Sequence, residues 1–262
     1  MKFPLYYSVS VNDLKTSKKI INFINKDDYV FISLHVAEEN RKDYIKNTSE
    51  LCRLLKTKSI KIIADISPRT LKTFKCKDYI SLSKKLGIYA YRVDNGLSLD
   101  EIIELAKKMP VVINASTFNT SDLIKIKKVN SKVIGMFNFY PRPETGMDLY
   151  QFVKIVREYQ KVHIPLCAFI SGDLSKRGPL FMGLPTLELT RNLPTYVSYV
   201  LLSKGKLIDG VFVGDIGLKN ESIKSIHQYQ KDGIIHLKAK INNPNLYNKV
   251  FTNRIDSPLS LI

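Results

Sequence analysis

Residues Ile88 to Ser116 read IYAYRVDNGLSLDEIIELAKKMPVVINAS. The stretch opens on an apolar run with aromatic and β-branched residues, then turns through Asn95 and Gly96. Ser98 follows, with Asp100 and Glu101 just after it and Lys107 and Lys108 further on. A serine cap, acids in the first turn and bases in the last satisfy the unpaired ends and the dipole of a helix. Leu99, Ile102, Ile103 and Ala106 recur at helical spacing. After Pro110 the chain is apolar again, in VVIN. Strand, helix, strand is a βαβ unit, and strands this apolar on both faces belong in a covered parallel sheet.

The unit repeats along the chain. LYYSVSV, YVFISLHV, SIKIIADI, IYAYRVD, PVVINAS, KVIGMFNFY, IPLCAFIS and IDGVFVGD make eight strand-like runs. Between them NDLKTSKKIINFINKDD, SELCRLLKTK, MDLYQFVKIVREYQK and LPTYVSYVLLSKG suit helices, the last closing on Gly205. NTSDLIKIKKVNS is short and predicts a brief helix. Eight βα units match a (β/α)8 TIM barrel. An open doubly wound sheet that bound a nucleotide would carry a glycine-rich turn after its first strand. SVSVNDLK holds no glycine, and no GxxxxGK[ST] occurs. The barrel is expected over residues 1–233. Residues 234–262, beginning IIHLKAKI, read as the first strands of a β-rich second domain, or as a tail on the barrel floor.

The 262 residues carry a formal charge of +17, spread over scattered lysines such as KTSKK and KIKK. No basic stripe with arginine forks and stacking aromatics stands out, so no nucleic-acid partner is expected. A positive field still attracts small anions. Cys52, Cys76 and Cys167 lie far apart and odd in number, which fits a reducing cytoplasm. MKFPLYYSVSVND lacks the apolar core and cleavage site of a signal peptide, and no run is long enough to span a membrane.

A barrel gathers its active site where the C-terminal strand ends meet. Here those ends carry His35, Asp65, Arg92 with Asp94, Asn114 with Ser116, Asn138 with Tyr140, then Ser171 and Asp215. Residues two apart share a face of a strand. The sixth strand runs into NFYPRPETG, which adds Arg142 between two prolines and Glu144. The seventh runs into SGDLSKRGPLFMGLPTLELTR, with Lys176, Arg177, Gly178, Glu188 and Arg191. Loops after strands seven and eight often hold phosphate in barrels, through backbone N–H groups and cations. A flexible surface lid is the plainer reading of the same loop. No His/Cys cluster has metal-ligand spacing and no GxSxG elbow occurs, so neither metal nor cofactor is expected. Carboxylates and cations suit acid/base work at a glycosidic bond.

NFYPRPETG, RGPLFMGLPTLELTR, YRVDNG, IIADISP and VFVGDIG together resemble the MupG-type 6-phospho-N-acetylmuramidases, from the first strand to the eighth. The resemblance implies a cytoplasmic bacterial hydrolase of peptidoglycan recycling. Its substrate would be a disaccharide of 6-phosphorylated N-acetylmuramic acid and N-acetylglucosamine. Such proteins continue into a cyclophilin-like C-terminal domain, and FTNRIDSPLSLI resembles its start. A homodimer formed through that domain is one partner arrangement it leaves open. Tyr7 and Ser10 stand where the family has a glycine and a tyrosine in its first strand. The resemblance assigns no catalyst residue by residue. Strand geometry points to Asp65 and Asp94, with Glu188 or Glu144 reaching in from loops. Arg92, Arg142 and Arg177 are the candidate anion ligands. Asn114, Asn138, Tyr140, Gly178, Asp215 and His35 complete the expected substrate-binding rim. A non-catalytic sugar-phosphate barrel, or another sugar-phosphate enzyme of this fold, stays open beside the glycosidase.

Overall fold

The computed structural model describes residues 3–34, 41–67, 69–93, 96–205, 207–237 and 242–250. The eight apolar runs each form a strand: β1 (Leu5–Val9), β2 (Tyr29–Ser33), β3 (Lys61–Ile66), β4 (Ile88–Val93), β5 (Val111–Asn114), β6 (Ile134–Met136), β7 (Leu166–Ile170) and β8 (Gly210–Val213). Helices separate them: α1 (Leu14–Ile21), α2 (Arg41–Thr57), α3 (Thr70–Phe74), α4 (Tyr79–Leu86), α5 (Leu99–Ala106), α6 (Thr120–Val129), α7 (Leu149–Lys161), α8 (Thr195–Lys204) and α9 (Asn220–Asp232). Each strand pairs in parallel with the next, and β8 pairs with β1 through Leu5↔Val211 and Tyr7↔Val213. That closure is the TIM barrel expected from the sequence, and it removes the open-sheet alternative.

Alternation along the strands sorts side chains into two cores. One set faces the helices, as Val30, Ile62, Ile113 and Val211 do. The other fills the barrel interior: Phe31, Ile63, Ala90, Val112, Met136, Cys167, Phe169 and Phe212. At the N-terminal end of the barrel the interior closes on aromatic rings. Tyr6 meets Tyr29 edge-on at 5.2 Å, and Tyr29 lies 5.8 Å from Tyr89. The Lys61 ammonium sits 5.5 Å and 5.7 Å from the centres of the last two rings, a cation–π seal. One end of the barrel is therefore plugged by apolar and aromatic groups, and polar groups are left to the other.

Local signals set the helices as expected. Ser98 Oγ accepts the Glu101 N–H at 3.3 Å, and Glu101 Oε2 accepts the Ser98 N–H at 2.7 Å. This capping box opens α5 and contributes about 1 kcal/mol. Asn119 and Asp148 cap α6 and α7 more simply, accepting the Asp122 and Gln151 N–H groups at 3.0 Å each. The helix expected to be brief, α6, spans 10 residues, because the Asn119 cap and the buried Leu123 and Ile126 anchor it. The β3–β4 connection holds two helices, joined through Lys75 at φ 52°. After Gly233 the described residues form no strand, only a 3-10 turn at Pro244–Leu246. Leu237 there is 77% exposed. Residues 238–241 and 251–262 lie outside the described residues. Among the described residues, no helix is long and apolar enough to cross a membrane.

Candidate active site

At the C-terminal end of the barrel the inward-facing layer turns polar. Ser33, Asp65 and Arg92 stand side by side in register on β2, β3 and β4. Arg92 Nη1 donates to Asp65 Oδ1 at 3.2 Å, and Arg92 Nη2 donates to Asn138 Oδ1. Arg92 is 3% exposed and Asp65 7%. A guanidinium this buried needs partners, and its flat fork can serve two at once. It thus ties the ends of β3, β4 and β6 together. On β5, Asn114 is fully buried, and its Oδ1 accepts the Ser116 N–H at 2.9 Å. Ser116 Oγ lies 3.5 Å from Tyr140 Oη, which links β5 to the loop after β6. The result is a carboxylate, a guanidinium, amides and hydroxyls gathered on one rim.

The chemistry-rich NFYPRPETG segment is held by the β7–α8 loop. Its backbone runs beside residues 185–188: Tyr140 N–H donates to Pro185 O at 3.0 Å, and Met147 N–H to Thr186 O at 2.9 Å. Glu188 N–H returns to Met147 O at 3.0 Å. Arg191, 4% exposed, fastens the two loops. All five of its N–H groups are used. Nε and Nη2 grip the Glu188 carboxylate at 2.6 Å each, and Nη2 also reaches Arg142 O at 3.1 Å. Nη1 donates to Tyr140 O at 2.9 Å and to Gly183 O at 3.1 Å. Glu188 takes two more bonds, from Glu144 N–H at 2.9 Å and Gly146 N–H at 2.7 Å. The Arg191 guanidinium, helped by those two N–H groups, holds the Glu188 carboxyl down at about 2. Gly146 is required: a Cβ there would come within 2.3 Å of Glu188 Oε2.

Asp215 organises the other side of the β7–α8 loop. It is fully buried and accepts N–H bonds from Arg177 at 2.9 Å, Gly172 at 3.0 Å and Leu184 at 3.3 Å. Lys176 Nζ pairs with it at 3.6 Å. Thr186 bridges β7 to the end of β6, accepting the Phe169 N–H at 2.9 Å and donating to Asn138 O at 2.8 Å. The loop is thus braced at both ends, by Arg191 and Glu188 on one side and by Asp215 on the other.

The structure brings Asp65, Arg92 and Asn138 into contact, with Asn114 and Tyr140 joined through Ser116. It separates the remainder. Asp215, expected on the substrate rim, lies beneath the loop with its carboxylate turned to backbone N–H groups. Glu188, expected to reach in as a catalyst, is engaged on both oxygens by Arg191 and by the Glu144 and Gly146 N–H groups. Arg142 and Glu144 are exposed on the far side of the NFYPRPETG loop, and it is the Arg142 carbonyl that is bonded. Gly178 is exposed in the β7–α8 loop, and Arg177 borders a cavity beside β1 and β2. His35 and Asp94 lie outside the described residues. The hub that residue types alone did not single out is Arg191. Its spacing of three from Glu188, across the 3-10 turn Glu188–Thr190, is the one local signal of the pair.

A family model described as "6-phospho-N-acetylmuramidase, N-terminal" matches residues 6–228. A conserved protein of unknown function from Enterococcus faecalis has a similar crystal structure, with TM-score 0.75 and 26% identity over 88% of this chain and 67% of that one. An uncharacterized Bacillus cereus protein is similar with TM-score 0.68 and 24% identity, over 86% and 64% of the two chains. The chain thus spans about two thirds of the length of each. A Thermotoga maritima phospho-2-dehydro-3-deoxyheptonate aldolase shares the fold alone, at TM-score 0.53 and 12% identity, over 88% and 68%. No curated protein matches the chain.

Proposed function

The chain belongs to the 6-phospho-N-acetylmuramidase N-terminal family, and from that premise we propose that it is a glycoside hydrolase of peptidoglycan recycling in the cytoplasm. Its substrate is the disaccharide of N-acetylmuramic acid 6-phosphate and N-acetylglucosamine. The observation that supports this most is the Asp65–Arg92–Asn138 cluster at the mouth of a barrel whose opposite end is plugged. On this reading residues 1–233 are the hydrolase domain.

Glycoside hydrolysis needs two carboxyl groups. One gives a proton to the leaving oxygen. The other faces the positive charge that grows at the anomeric carbon, or orients the substrate's own acetamido group while water attacks. Arg92 donates to Asp65 and fixes it as an acceptor, so Asp65 takes the second role. Asp94, two residues beyond Arg92 in sequence, takes the first. Asn114, Asn138 and Tyr140 offer the donors and acceptors that a sugar's hydroxyls need. Glu188 and Asp215 shape the loops and transfer no proton. The direct test is incubation with the phosphorylated disaccharide and mass detection of the products. Release of both monosaccharides supports the assignment; intact disaccharide after prolonged incubation contradicts it.

A further inference from the structure

One cation on this rim is positioned unlike the others. Arg177 lies in a cavity of about 620 Å³ between the ends of β1 and β2 and the β7–α8 loop. That volume falls within the about 300–1,000 Å³ usual for small-molecule sites. Val9, Ser10, Asn12, Tyr44, Lys176 and Phe181 are among the residues that line it.

The guanidinium is held rather than floating. Its backbone N–H is pinned by Asp215 at 2.9 Å, and Nη2 donates to Val9 O at 3.2 Å. Its Nε is buried and meets no acceptor among the described residues. No described carboxylate forms a salt bridge with Arg177. Burial lowers its pKa from the ordinary value, yet arginine keeps its charge at neutral pH. A cation kept partly out of water, with a donor unspent, is a poor structural solution unless an anion completes it. Arg142 differs: its side chain is exposed to solvent. Among the described residues, the acidic groups at the cavity make bonds of their own. Asp13 lines the cavity but caps α1 through Thr16 N–H at 3.0 Å, and Asp215 lies beneath with Lys176. Tyr44 links the cavity to the polar layer, donating to Ser33 O at 2.6 Å, next to Asp65 in register. Phe181, 64% exposed, forms an aromatic wall whose ring packs over Gly178.

We propose that this cavity is the subsite for the sugar 6-phosphate, with Arg177 as the anion ligand, Lys176 beside it and the Phe181 ring against the apolar face of the pyranose. The proposal rests on the glycosidase reading for the identity of the ligand only. It places the phosphate at the β1/β2 side of the mouth, away from the NFYPRPETG loop.

Calorimetric binding of N-acetylmuramic acid 6-phosphate and of N-acetylmuramic acid tests it, since both carry the lactyl carboxylate and differ only in phosphate. The chain should bind the phosphorylated sugar about ten- to a hundredfold more tightly, and Arg177→Gln should remove that preference. Phe181→Ala should weaken both ligands alike, by about two- to tenfold. Should Arg177→Gln unfold on loss of its Val9 contact, Asn12→Asp serves: a carboxylate on this exposed lining residue should weaken the phosphorylated sugar alone, by about fivefold. Lys161→Gln, on the outer surface of α7, should leave both affinities unchanged. Equal loss for both sugars in Arg177→Gln, or loss of the preference in Arg142→Gln instead, overturns the subsite. Hydrolysis of the disaccharide with an intact preference in Arg177→Gln overturns the subsite and leaves the glycosidase standing. An Arg177-dependent preference without hydrolysis does the reverse.

Discussion

Asp65 and Arg92 occupy adjacent strand ends, nearly free of water, and neither would be tolerable there alone. Removing one member of a buried ion pair typically costs about 3–5 kcal/mol, which a barrel would not risk for packing alone. Asp65→Asn keeps the shape and leaves Arg92 its bond to Asn138. Its turnover of the phosphorylated disaccharide should fall by about 10²- to 10⁴-fold, with a native circular-dichroism spectrum. Asp94→Asn should behave likewise. Turnover within twofold of the parent in either variant would remove that residue from the chemistry. That Asp65 and Arg92 share one rim was legible from strand alternation. That Arg92, expected as an anion ligand, bonds Asp65 and Asn138 of its own chain was not. The burial of Asp215 was not legible. An aspartate after a strand reads the same whether it points to solvent or to three backbone N–H groups of its own loop.

Among the elements, the two loops after β6 and β7 behave as one body. Arg191 and Glu188 join them, and the joint depends on charge. The Glu188 carboxyl falls from its ordinary 4.5 to about 2 in the folded chain. A depressed acid stabilises the fold above its unfolded pKa, and that contribution is lost as pH falls through the folded value. Urea unfolding should therefore show Glu188→Gln less stable than the parent at neutral pH. The gap should close between about pH 4.5 and pH 2, following the shift of this one group. A gap that widens on acidification would refute the latch. Arg191→Ala, which also removes the donor to the Tyr140 and Gly183 carbonyls, should cost more than Glu188→Gln and loosen both loops in hydrogen exchange. The capping of α5 was plain in sequence because Ser98 and Glu101 are neighbours. The latch was not, because its carbonyl partners at Tyr140, Arg142 and Gly183 are distant in sequence and chemically silent.

For the molecule as a whole, the order of apolar runs was enough to give a closed barrel. Parallel strands covered on both faces need no long-range information to be recognised. The position of the mouth followed from the fold, since the aromatic plug of Tyr6, Tyr29 and Tyr89 closes the opposite end. What the sequence could not apportion was its cations. Arg92, Arg142, Arg177 and Arg191 look alike as letters, yet they serve as a buried tether, an exposed cation, a cavity donor and a latch. Hydrolysis at this mouth requires the polar layer around Asp65 to hold the bond that is broken. A crystal structure of Asp65→Asn with the phosphorylated disaccharide bound tests this most directly. The anomeric carbon of the muramic sugar should lie beside residue 65, with its 2-acetamido group in reach of the polar layer. Density for the disaccharide elsewhere, such as the groove between α6 and α7, with the barrel mouth empty, would contradict it.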